Sequence, residues 1–462
     1  MVPPVPIAYA TISSSLPSNP YILGITPSPT APHLILRHPS SSLTVTDNQS
    51  LQPIAELKGG HTGNVSSVCI DQEQIWSAAM DGTISRWDER SRQKANLIKA
   101  FIRKPLPVLS LTVSAFDNLV IGGTEVVSAE AHILFWDPRN TSSPVYIHSS
   151  THSDDITHLS LLRSSSSFLP PSHNAEIITP HTLLLSASTD GLVALSNMKE
   201  SDEEEAVVAE ENWGQSIADA GGYMCKGRMR VWTRSDMDEM AIWSIGRSGL
   251  GEIELQDQTI YPSSEFKFKT FHLPQTGPNV ARAAAEDMKS KAQIKSDYLI
   301  NVVPSLGLSS QGGPMVAVGT NEGDIIVQHH KRETTTYLPS SYFLTGPDST
   351  RGHKDVVRAL YHDLSNEALY TGSEDGVLAG FSLASLPERL VVGDPDIDDD
   401  DDDRNEEDEE MEEESEIETQ DSDEDDDMVD EGPRHNPVVG VATRGRDTDK
   451  KKERRNKRFG PY

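Results

Sequence analysis

Residues 59–90 read GGHTGNVSSVCIDQEQIWSAAMDGTISRWDER and contain three short segments rich in β-branched and aromatic residues. Gly-His precedes the first segment, Asp81-Gly82 separates the second from the third, and Trp-Asp ends the third. Asp-Gly between such segments is a typical hairpin turn, so the stretch predicts consecutive antiparallel strands. This set of landmarks within about 40 residues is typical of one four-stranded blade of a β-propeller.

The same landmarks recur further along the chain. Residues 352–383 read GHKDVVRALYHDLSNEALYTGSEDGVLAGFSL, again with Gly-His at the start and Asp375-Gly376 before the third segment. Copies that lack one or more landmarks lie between the two clear ones. We therefore predict an all-β fold, a single seven-bladed β-propeller over residues 1–393, with six or eight blades as the alternative counts. The blades are expected near 21–57, 61–100, 106–147, 152–199, 205–250, 265–335 and 353–385.

A propeller must also close its ring. An open array of sheets would leave unpaired edges, and propellers avoid this by completing one blade with a strand from the other terminus. The N-terminal sequence VPIAYATIS suits such a strand. We expect the closing strand near residues 5–13, paired with the sheet of 353–385.

Several polar residues at the landmarks include the types found in a serine-hydrolase triad, a nucleophile, a base and a carboxylate. However, the set recurs at blade spacing, and independent catalytic sites are not expected to do so. We interpret these residues as buried hydrogen-bonded networks that hold each blade together, and we predict no catalytic residue and no enzyme activity. The network residues are His61, Ser77, Asp81, Trp87, Ser186, Asp190, His353, Thr371 and Asp375.

No cofactor or metal site is expected from the remaining residues. The histidines His148, His152 and His158 lack a metal-ligand spacing, and the adjacent pair His329-His330 would point to opposite faces of a strand. Cys69 and Cys225, the two cysteines, show no disulfide spacing, which fits a reducing compartment. The N-terminus lacks the pattern of a secretory signal, and no apolar run is long enough for a membrane span.

The sequence KGRMRVWTR at 226–234 interleaves basic residues with Trp232. Such a pattern could contact nucleic acid through phosphates and stacking. It also fits a strand whose alternate residues face solvent. The surrounding body is acidic, so we favour the strand interpretation and disfavour direct nucleic-acid binding.

The charge of the chain is concentrated after residue 393. Residues 394–431 contain 26 acidic residues and one arginine, whereas residues 434–462 contain ten basic residues and three acidic ones. We predict a disordered acidic tract at 394–433 and a disordered basic tail at 434–462, because like charges cannot bury a core. The acidic tract is either a solubilising segment or a mimic of nucleic acid that captures basic proteins such as ribosomal proteins or histones.

Two kinds of signal lie within these charged segments. Ser415 and Ser422 are followed by acidic residues, the context that acid-directed kinases prefer. The basic tail contains a compact run of nuclear-localisation type, with a generic polyelectrolyte tail as the alternative. We expect a nuclear or nucleolar protein, with the cytoplasm as the alternative. The run consists of Lys450, Lys451, Lys452, Arg454, Arg455, Lys457 and Arg458.

With its blades recognised, the chain resembles the WD-repeat β-propeller superfamily over roughly residues 1–390. More narrowly it is similar to the family of WD repeat-containing protein 89 and its fungal homologues, through SASTDGLVALSNMKESDEEEAVV, NWGQSIADAGGY, MAIWSI and GHKDVVRALYHDLSNEALYTGSEDG. The middle blades depart from the superfamily pattern because they lack Gly-His or Trp-Asp pairs. The resemblance implies a non-enzymatic scaffold that binds other proteins. The alternatives are a dedicated chaperone or assembly factor for a basic client, and a substrate receptor or subunit of a chromatin or ubiquitin-ligase assembly.

Overall fold

The computed structural model describes ten segments of the chain, all within the unit Met1–Asp400. They are residues 7–10, 12–18, 20–72, 74–163, 182–248, 252–272, 293–306, 313–330, 337–344 and 352–383. They form seven blades, six of them four-stranded sheets and one a five-stranded sheet, together with a separate two-stranded ribbon. The predicted all-β, seven-bladed propeller is thereby confirmed. The predicted acidic tract and basic tail lie outside the described residues.

Blades 1 to 4 follow one another along the chain, each an antiparallel meander with its strands in sequence order. Blade 1 consists of Gly24–Pro27, His33–Arg37, Leu43–Asp47 and Pro53–Leu57, and blade 2 of Val65–Asp71, Gln74–Ala79, Thr83–Asp88 and Gln93–Lys99. Blade 3 consists of Val108–Ser114, Leu119–Thr124, Ile133–Trp136 and Tyr146–His148. Blade 4 consists of His158–Arg163, Thr182–Ala187, Leu192–Ser196 and Val207–Asn212.

Blades 5 to 7 complete the ring. Blade 5 consists of Ile217–Cys225, Arg228–Ser235, Met240–Arg247 and Ile253–Tyr261, and the ribbon Thr270–His272 with Gln293–Lys295 follows it. Blade 6 consists of Tyr298–Val302, Val316–Gly319, Ile325–His330 and Tyr337–Leu344, and blade 7 of Val357–Asp363, Ala368–Ser373 and Val377–Ser382. Among the described residues the helical elements are the α-helix Glu203–Ala206 and the 3₁₀ turns Ser263–Glu265 and Pro304–Leu306. In this part of the chain no helix is both long and apolar enough to cross a bilayer.

The blades pack side by side around a central axis. The first strands of blades 6, 7, 1, 2, 3, 4 and 5 contact one another in that order, so the first strand of each blade lies innermost. Seven apolar clusters fill the spaces between neighbouring blades, one for each interface. For example, Ile35 and Val45 of blade 1 pack against Ile75 and Trp87 of blade 2. Burial of these faces, rather than any central core, holds the ring together.

Asp-Gly turns connect the second and third strands where the repeat is clearest. Gly82 has a φ of 77° and Gly376 a φ of 74°, a left-handed conformation that costs glycine little. We call the end of the propeller that carries these turns and the connections between blades the top face. The turns between first and second strands and those between third and fourth strands lie at the bottom face.

The ring closes through the N-terminus, but not with the segment that we expected. The strand Ile12–Ser15 pairs antiparallel with Val377–Ser382 and completes blade 7. The preceding strand Ile7–Tyr9 instead pairs parallel with Tyr337–Leu344 at the outer edge of blade 6. The predicted closing strand at 5–13 therefore overlaps the true one only at its end. Between the two strands, Ala10 is buried in the interface of blades 6 and 7, so the chain crosses from one sheet to the other there.

The middle blades extend beyond the predicted limits. Blade 4 was expected to end near 199 and blade 5 to begin near 205, but Val207–Asn212 pairs with Leu192–Ser196 as the outer strand of blade 4. This strand reads VVAEEN, and its acidic half resembles a linker, although Val208 and Ala209 pack against the interface with blade 5. Similarly, the outer strands of blades 5 and 6 extend to 261 and 344 rather than to 250 and 335.

Candidate functional site

Blade 2 contains a continuous chain of polar side chains beneath its top turn. The His61 ring lies 2.6 Å from Ser77 Oγ through Nε2 and 2.7 Å from Thr83 Oγ1 through Nδ1. Trp87 Nε1 donates to Ser77 Oγ at 2.7 Å, and Thr83 Oγ1 donates to Asp81 Oδ1 at 2.5 Å. The order is therefore Trp87, Ser77, His61, Thr83, Asp81. Each group in this order donates a hydrogen bond to the next, from the Trp87 indole to the Asp81 carboxylate, so every group has a partner.

The protonation states fit this direction. Burial lowers the pKa of His61 to about 4, although Asp81 opposes the change, so the imidazole is neutral at pH 7. Burial raises the pKa of the Asp81 carboxyl, but hydrogen bonds from Thr83, Thr62 and Gly63 outweigh it and hold this pKa below its usual range. Asp81 Oδ2 accepts from the Thr62 backbone N–H at 2.6 Å, which fixes the connection from blade 1 to the turn of blade 2.

Blades 4 and 7 contain shorter versions of this network. In blade 7, His353 Nε2 lies 2.6 Å from Thr371 Oγ1, and His353 Nδ1 lies 3.8 Å from Asp375 Oδ1. Asp375 Oδ2 accepts from the backbone N–H of Lys354 at 2.8 Å, and Phe381 occupies the tryptophan position. In blades 4 and 7 no threonine links the histidine to the carboxylate, and the Nδ1 atoms of His152 and His353 have no hydrogen-bond partner among the described residues.

In blade 4, His152 Nε2 lies 2.8 Å from Ser186 Oγ and His152 Nδ1 lies 3.6 Å from Asp190 Oδ2. Despite burial, the nearby His152 ring and hydrogen bonds from the backbone N–H groups of Ser153 and Leu192 lower the pKa of Asp190 to about 2. Sequence reasoning missed His152 because no glycine precedes it, and it missed Thr83 because that position varies between blades. His152 lies 38 residues before Asp190, against 20 residues from His61 to Asp81, because the Ser- and Pro-rich sequence SSSSFLPPSHNAE at 164–176 lengthens the spacing. Residues 164–176 lie outside the described residues.

Blades 3 and 5 fill the same space with aromatic rings. In blade 3, Gly122 occupies the serine position, and the ring of Trp136 covers it, with Cζ3 3.2 Å from where a Cβ would lie. In blade 5, Trp213 stands where the other blades have histidine, and its ring meets Trp243 edge to face at a centroid distance of 6.4 Å. In blades 3 and 5 apolar packing thus replaces the polar network.

The polar networks cannot work as hydrolase triads. Ser77 is fully buried beneath its blade, and its Oγ already contacts both the indole N–H and the imidazole. A nucleophile must reach a substrate carbonyl, and this hydroxyl faces the interior. The chemistry available to the network is hydrogen bonding that positions the top turns.

The other histidines occupy unrelated positions. His148 is buried and packs against the Phe135 ring at a centroid distance of 4.8 Å, and His158 Nδ1 lies 2.8 Å from Asp219 Oδ1. His329 and His330 belong to a strand of blade 6. Within the described segments, no three or more His, Cys, Asp or Glu side chains are grouped as metal ligands. The two cysteines are free thiols, and burial raises the pKa of Cys69 to about 11.

The basic stretch 226–234 forms the first turn and second strand of blade 5. Trp232 is buried in the interface with blade 6, so it cannot stack on a base. Lys226 and Arg228 are exposed at the bottom face, whereas Arg230 is half-buried. The predicted strand is therefore present, and the aromatic residue that suggested nucleic acid belongs to the core.

The top face carries exposed apolar side chains. Phe101 is 53% exposed and Ile102 38% exposed in the connection between blades 2 and 3, and Met80 in the adjoining turn is 39% exposed. Their connection is ordered, because the Ala100 N–H donates to the Gly82 carbonyl and the Leu106 N–H to the Ala100 carbonyl. Across the ring, Met237 and Phe268 are 64% and 65% exposed, in two segments joined by the ion pair Lys267–Asp238. Apolar groups held out on ordered loops are typical of protein interfaces.

The remaining predicted sites lie outside the described residues. They are Ser415 and Ser422 and the basic run Lys450, Lys451, Lys452, Arg454, Arg455, Lys457 and Arg458.

The fold is a propeller of repeated blades, and comparison with known proteins shows similarity to WD-repeat proteins. Residues 51–88 match the model of the family "WD domain, G-beta repeat". The chain is similar to the uncharacterized WD repeat-containing protein C63.06 of Schizosaccharomyces pombe, 23% identical over 367 residues that cover 76% of this chain and 92% of the relative. It is also similar to the WD repeat-containing protein GTS1 of Arabidopsis thaliana, 27% identical over 343 residues that cover 69% and 70% of the two chains. Together these matches support the WD-repeat β-propeller superfamily.

Proposed function

We propose that the protein is a non-enzymatic scaffold that binds other proteins through the top face of its propeller. The observation that carries this proposal is the ordered loop that exposes Phe101 and Ile102 beside Met80. Large apolar side chains on a rigid loop lose little entropy on binding and commonly provide most of the affinity of an interface. WD-repeat propellers generally act as protein-binding scaffolds. The resemblance to the family of WD repeat-containing protein 89 implies no enzymatic reaction.

The top-face proposal is tested by a double substitution, Phe101→Ser with Ile102→Ser. The variant should keep its fold and lose most of the proteins that co-purify with the wild type. Phe116→Ser is the matched control, because Phe116 is 81% exposed on a bottom-face turn. If the top-face variant retains the wild-type partners, another surface of the propeller carries the binding.

We further propose that the acidic tract captures a basic protein such as a ribosomal protein or a histone. The support is its composition, 26 acidic residues and one arginine within 394–431. Such a density of charge attracts a basic client over about 8–10 Å at physiological ionic strength, and salt screens the attraction. A dedicated chaperone or assembly factor would bind one such client in a fixed stoichiometry.

Deletion of 394–431 tests the tract. Purified histone and a purified basic ribosomal protein are titrated onto the full chain and onto the deletion variant at low and moderate salt. Affinity should fall by more than tenfold on deletion or on raising salt from about 50 to 200 mM, since several ion pairs act together. Equal affinity of both chains for both clients would contradict tract capture and favour a receptor or assembly subunit that binds through the propeller alone.

The location of the protein is proposed to be nuclear or nucleolar. The support is the compact basic run between Lys450 and Arg458. A fluorescent reporter fused to residues 444–462 should accumulate in the nucleus, and replacement of the seven basic residues of the run by alanine should abolish this. A reporter that stays cytoplasmic would remove the main support for nuclear import.

A further inference from the structure

A loop on blade 4 combines an exposed serine with a run of acidic residues. Ser201 is followed by Asp202, Glu203, Glu204 and Glu205, in the connection between the third and fourth strands of the blade. Acid-directed protein kinases contact carboxylates on the C-terminal side of the acceptor, above all the one three residues after it, through basic side chains of their own. The sequence around Ser201 presents such a carboxylate at each of the three following positions.

The structure leaves the groups that a kinase would contact accessible. Ser201 is exposed, and its hydroxyl forms no hydrogen bond within the described part of the chain. Glu204 and Glu205 are also exposed. Glu203 has a different role, because its carboxylate accepts from the Thr151 hydroxyl and from the backbone N–H groups of residues 149–151, which follow the outer strand of blade 3. These bonds, despite burial, lower the pKa of Glu203 to about 2.

The local backbone does not prevent access either. The element next to the serine is the four-residue helix Glu203–Ala206, with Asp202 as its N-cap. A single helical turn has almost no stability of its own, so a kinase can extend the segment at little cost. The hydrogen bonds of Glu203 then keep the loop at the outer edge of the propeller, while Ser201, Glu204 and Glu205 remain accessible.

Other residues with the same spacing are protected by the fold. Eight further Ser or Thr residues of the described segments have an acidic residue three positions later, and each is buried or half-buried. They are Thr44, Ser85, Ser114, Thr151, Ser216, Thr233, Ser235 and Thr371. Thr44 also bonds to His38, and the Ser216 hydroxyl donates to Asp236. Within the described segments, exposure and spacing therefore coincide at Ser201 alone.

We propose that Ser201 is a phosphorylation site for an acid-directed protein kinase. The serine Oγ attacks the γ-phosphorus of ATP, a new Oγ–P bond forms, the bond to the leaving ADP breaks, and the serine proton passes to the kinase's base. The product carries a charge of about −1.5 to −2 at pH 7, beside Asp202, Glu204 and Glu205. The modification would make the outer edge of blade 4 a strongly anionic surface. This site is independent of the proposed capture by the acidic tract.

The test uses the full chain, ATP and a purified acid-directed kinase whose activity is first verified on a synthetic acidic peptide. Trypsin releases residues 200–226 as one peptide with two serines, Ser201 and Ser216. We expect one phosphate on this peptide, assigned to Ser201 by fragmentation and absent from Ser201→Ala. Phosphate on Ser216, or an unmodified 200–226 peptide in that reaction, would overturn the proposal, whatever happens at Ser415 and Ser422.

Two charge-reversal variants test whether the kinase recognises the acidic residues that follow Ser201. Glu204→Lys removes the carboxylate three residues after the acceptor, and the initial rate at Ser201 should fall roughly tenfold or more because a like charge then faces the basic side chains of the kinase. Glu210→Lys is the matched control, an equally exposed glutamate on the outer strand of the same blade. Equal rates for the two variants would contradict recognition by an acid-directed kinase.

Discussion

Blades 2 and 5 have different side chains at three structurally equivalent positions, hydrogen-bonded to one another in blade 2 and packed as aromatic rings in blade 5. Blade 2 has His61, Ser77 and Trp87, joined by hydrogen bonds of 2.6 and 2.7 Å. Blade 5 has Trp213, Thr233 and Trp243, and the equivalence follows from the strand register: Trp87 pairs with Ile75 and Trp243 with Val231, each two residues before the hydroxyl-bearing position. In blade 5 neither Thr233 Oγ1 nor Trp243 Nε1 has a hydrogen-bond partner among the described residues.

The comparison shows that the space beneath each top turn must be filled by side chains. These side chains can form a polar network or pack as apolar rings. A polar chain fixes orientation because each donor has one acceptor, whereas an edge-to-face pair of indoles provides buried area and tolerates small shifts. The polar blade must keep every member satisfied, since a buried group without a partner costs about 1–3 kcal/mol. The aromatic blade already carries such unpaired groups and relies on packing.

Removal of the indole of either Trp87 or Trp243 should lower the free energy of unfolding more than any other substitution proposed below. Trp87→Ala and Trp243→Ala each delete a nearly fully buried ring, and each should lower the free energy of unfolding by about 3–5 kcal/mol. Trp87→Ala should lie at the upper end, because it also removes the donor to Ser77. Urea denaturation followed by circular dichroism measures both.

Exposed Phe116→Ala is the matched control for these deletions, since the Phe116 ring lies mostly in solvent and its loss should cost little. A cost below about 1 kcal/mol for Trp243→Ala would show that the indole pair does not stabilise blade 5, and the equivalence of the two blades would fail.

The same contrast explains what the sequence could predict. Blades 2 and 7 were recognisable because Gly-His, Asp-Gly and a terminal aromatic residue are all required by one local network, so the residues appear together in the sequence. Blade 5 lacks these landmarks because an edge-to-face pair of indoles, Trp213 and Trp243, replaces the polar network, and such a pair requires no Gly-His or Asp-Gly landmark in the sequence. The start of the closing strand likewise follows a contact between distant parts of the sequence, because Ala10 packs between blades 6 and 7.

Acidification should weaken blade 2 more than blade 5, which contains no histidine between its first and last strands. His61 has a folded pKa of about 4, below the ordinary value of 6.5, so the unfolded chain binds more protons between these pH values. The stability therefore falls as pH falls from 6.5 to 4, by at most about 3 kcal/mol from this residue. Asp81 acts at lower pH, because its depressed pKa contributes stability that is fully present above the ordinary carboxyl pKa and is lost as pH falls below that value.

The measurement is the free energy of unfolding as a function of pH for the wild type and for His61→Gln. The variant should be less stable at pH 7 and should show a smaller decrease between pH 6.5 and 4. Parallel curves for the two proteins would mean that His61 is not held in its neutral form by the fold.

Thr83→Val should have an intermediate effect. The substitution keeps the shape of the side chain but removes the hydroxyl that links His61 Nδ1 to Asp81 Oδ1. A buried donor on His61 is then left without its acceptor, and the expected cost is about 1–3 kcal/mol in urea denaturation. Thr83→Ser, which keeps the hydroxyl, is the control and should recover most of the loss. If Thr83→Val and Thr83→Ser behave alike, the link from His61 to Asp81 has no energetic role.

The smallest expected change in the free energy of unfolding comes from replacing each tryptophan by phenylalanine, and it compares the two blades most directly. Trp87→Phe and Trp243→Phe remove similar volumes, but only the first breaks a hydrogen bond, from the indole to Ser77 Oγ at 2.7 Å. Trp243 Nε1 has no partner within the described segments, so its loss carries no such penalty and relieves a buried unpaired donor. Trp87→Phe should therefore be more destabilising by about 1 kcal/mol, the typical net contribution of one intramolecular hydrogen bond. A double-mutant cycle of Trp87→Phe with Ser77→Ala isolates that term, and a coupling energy near zero would mean that both blades depend on packing alone.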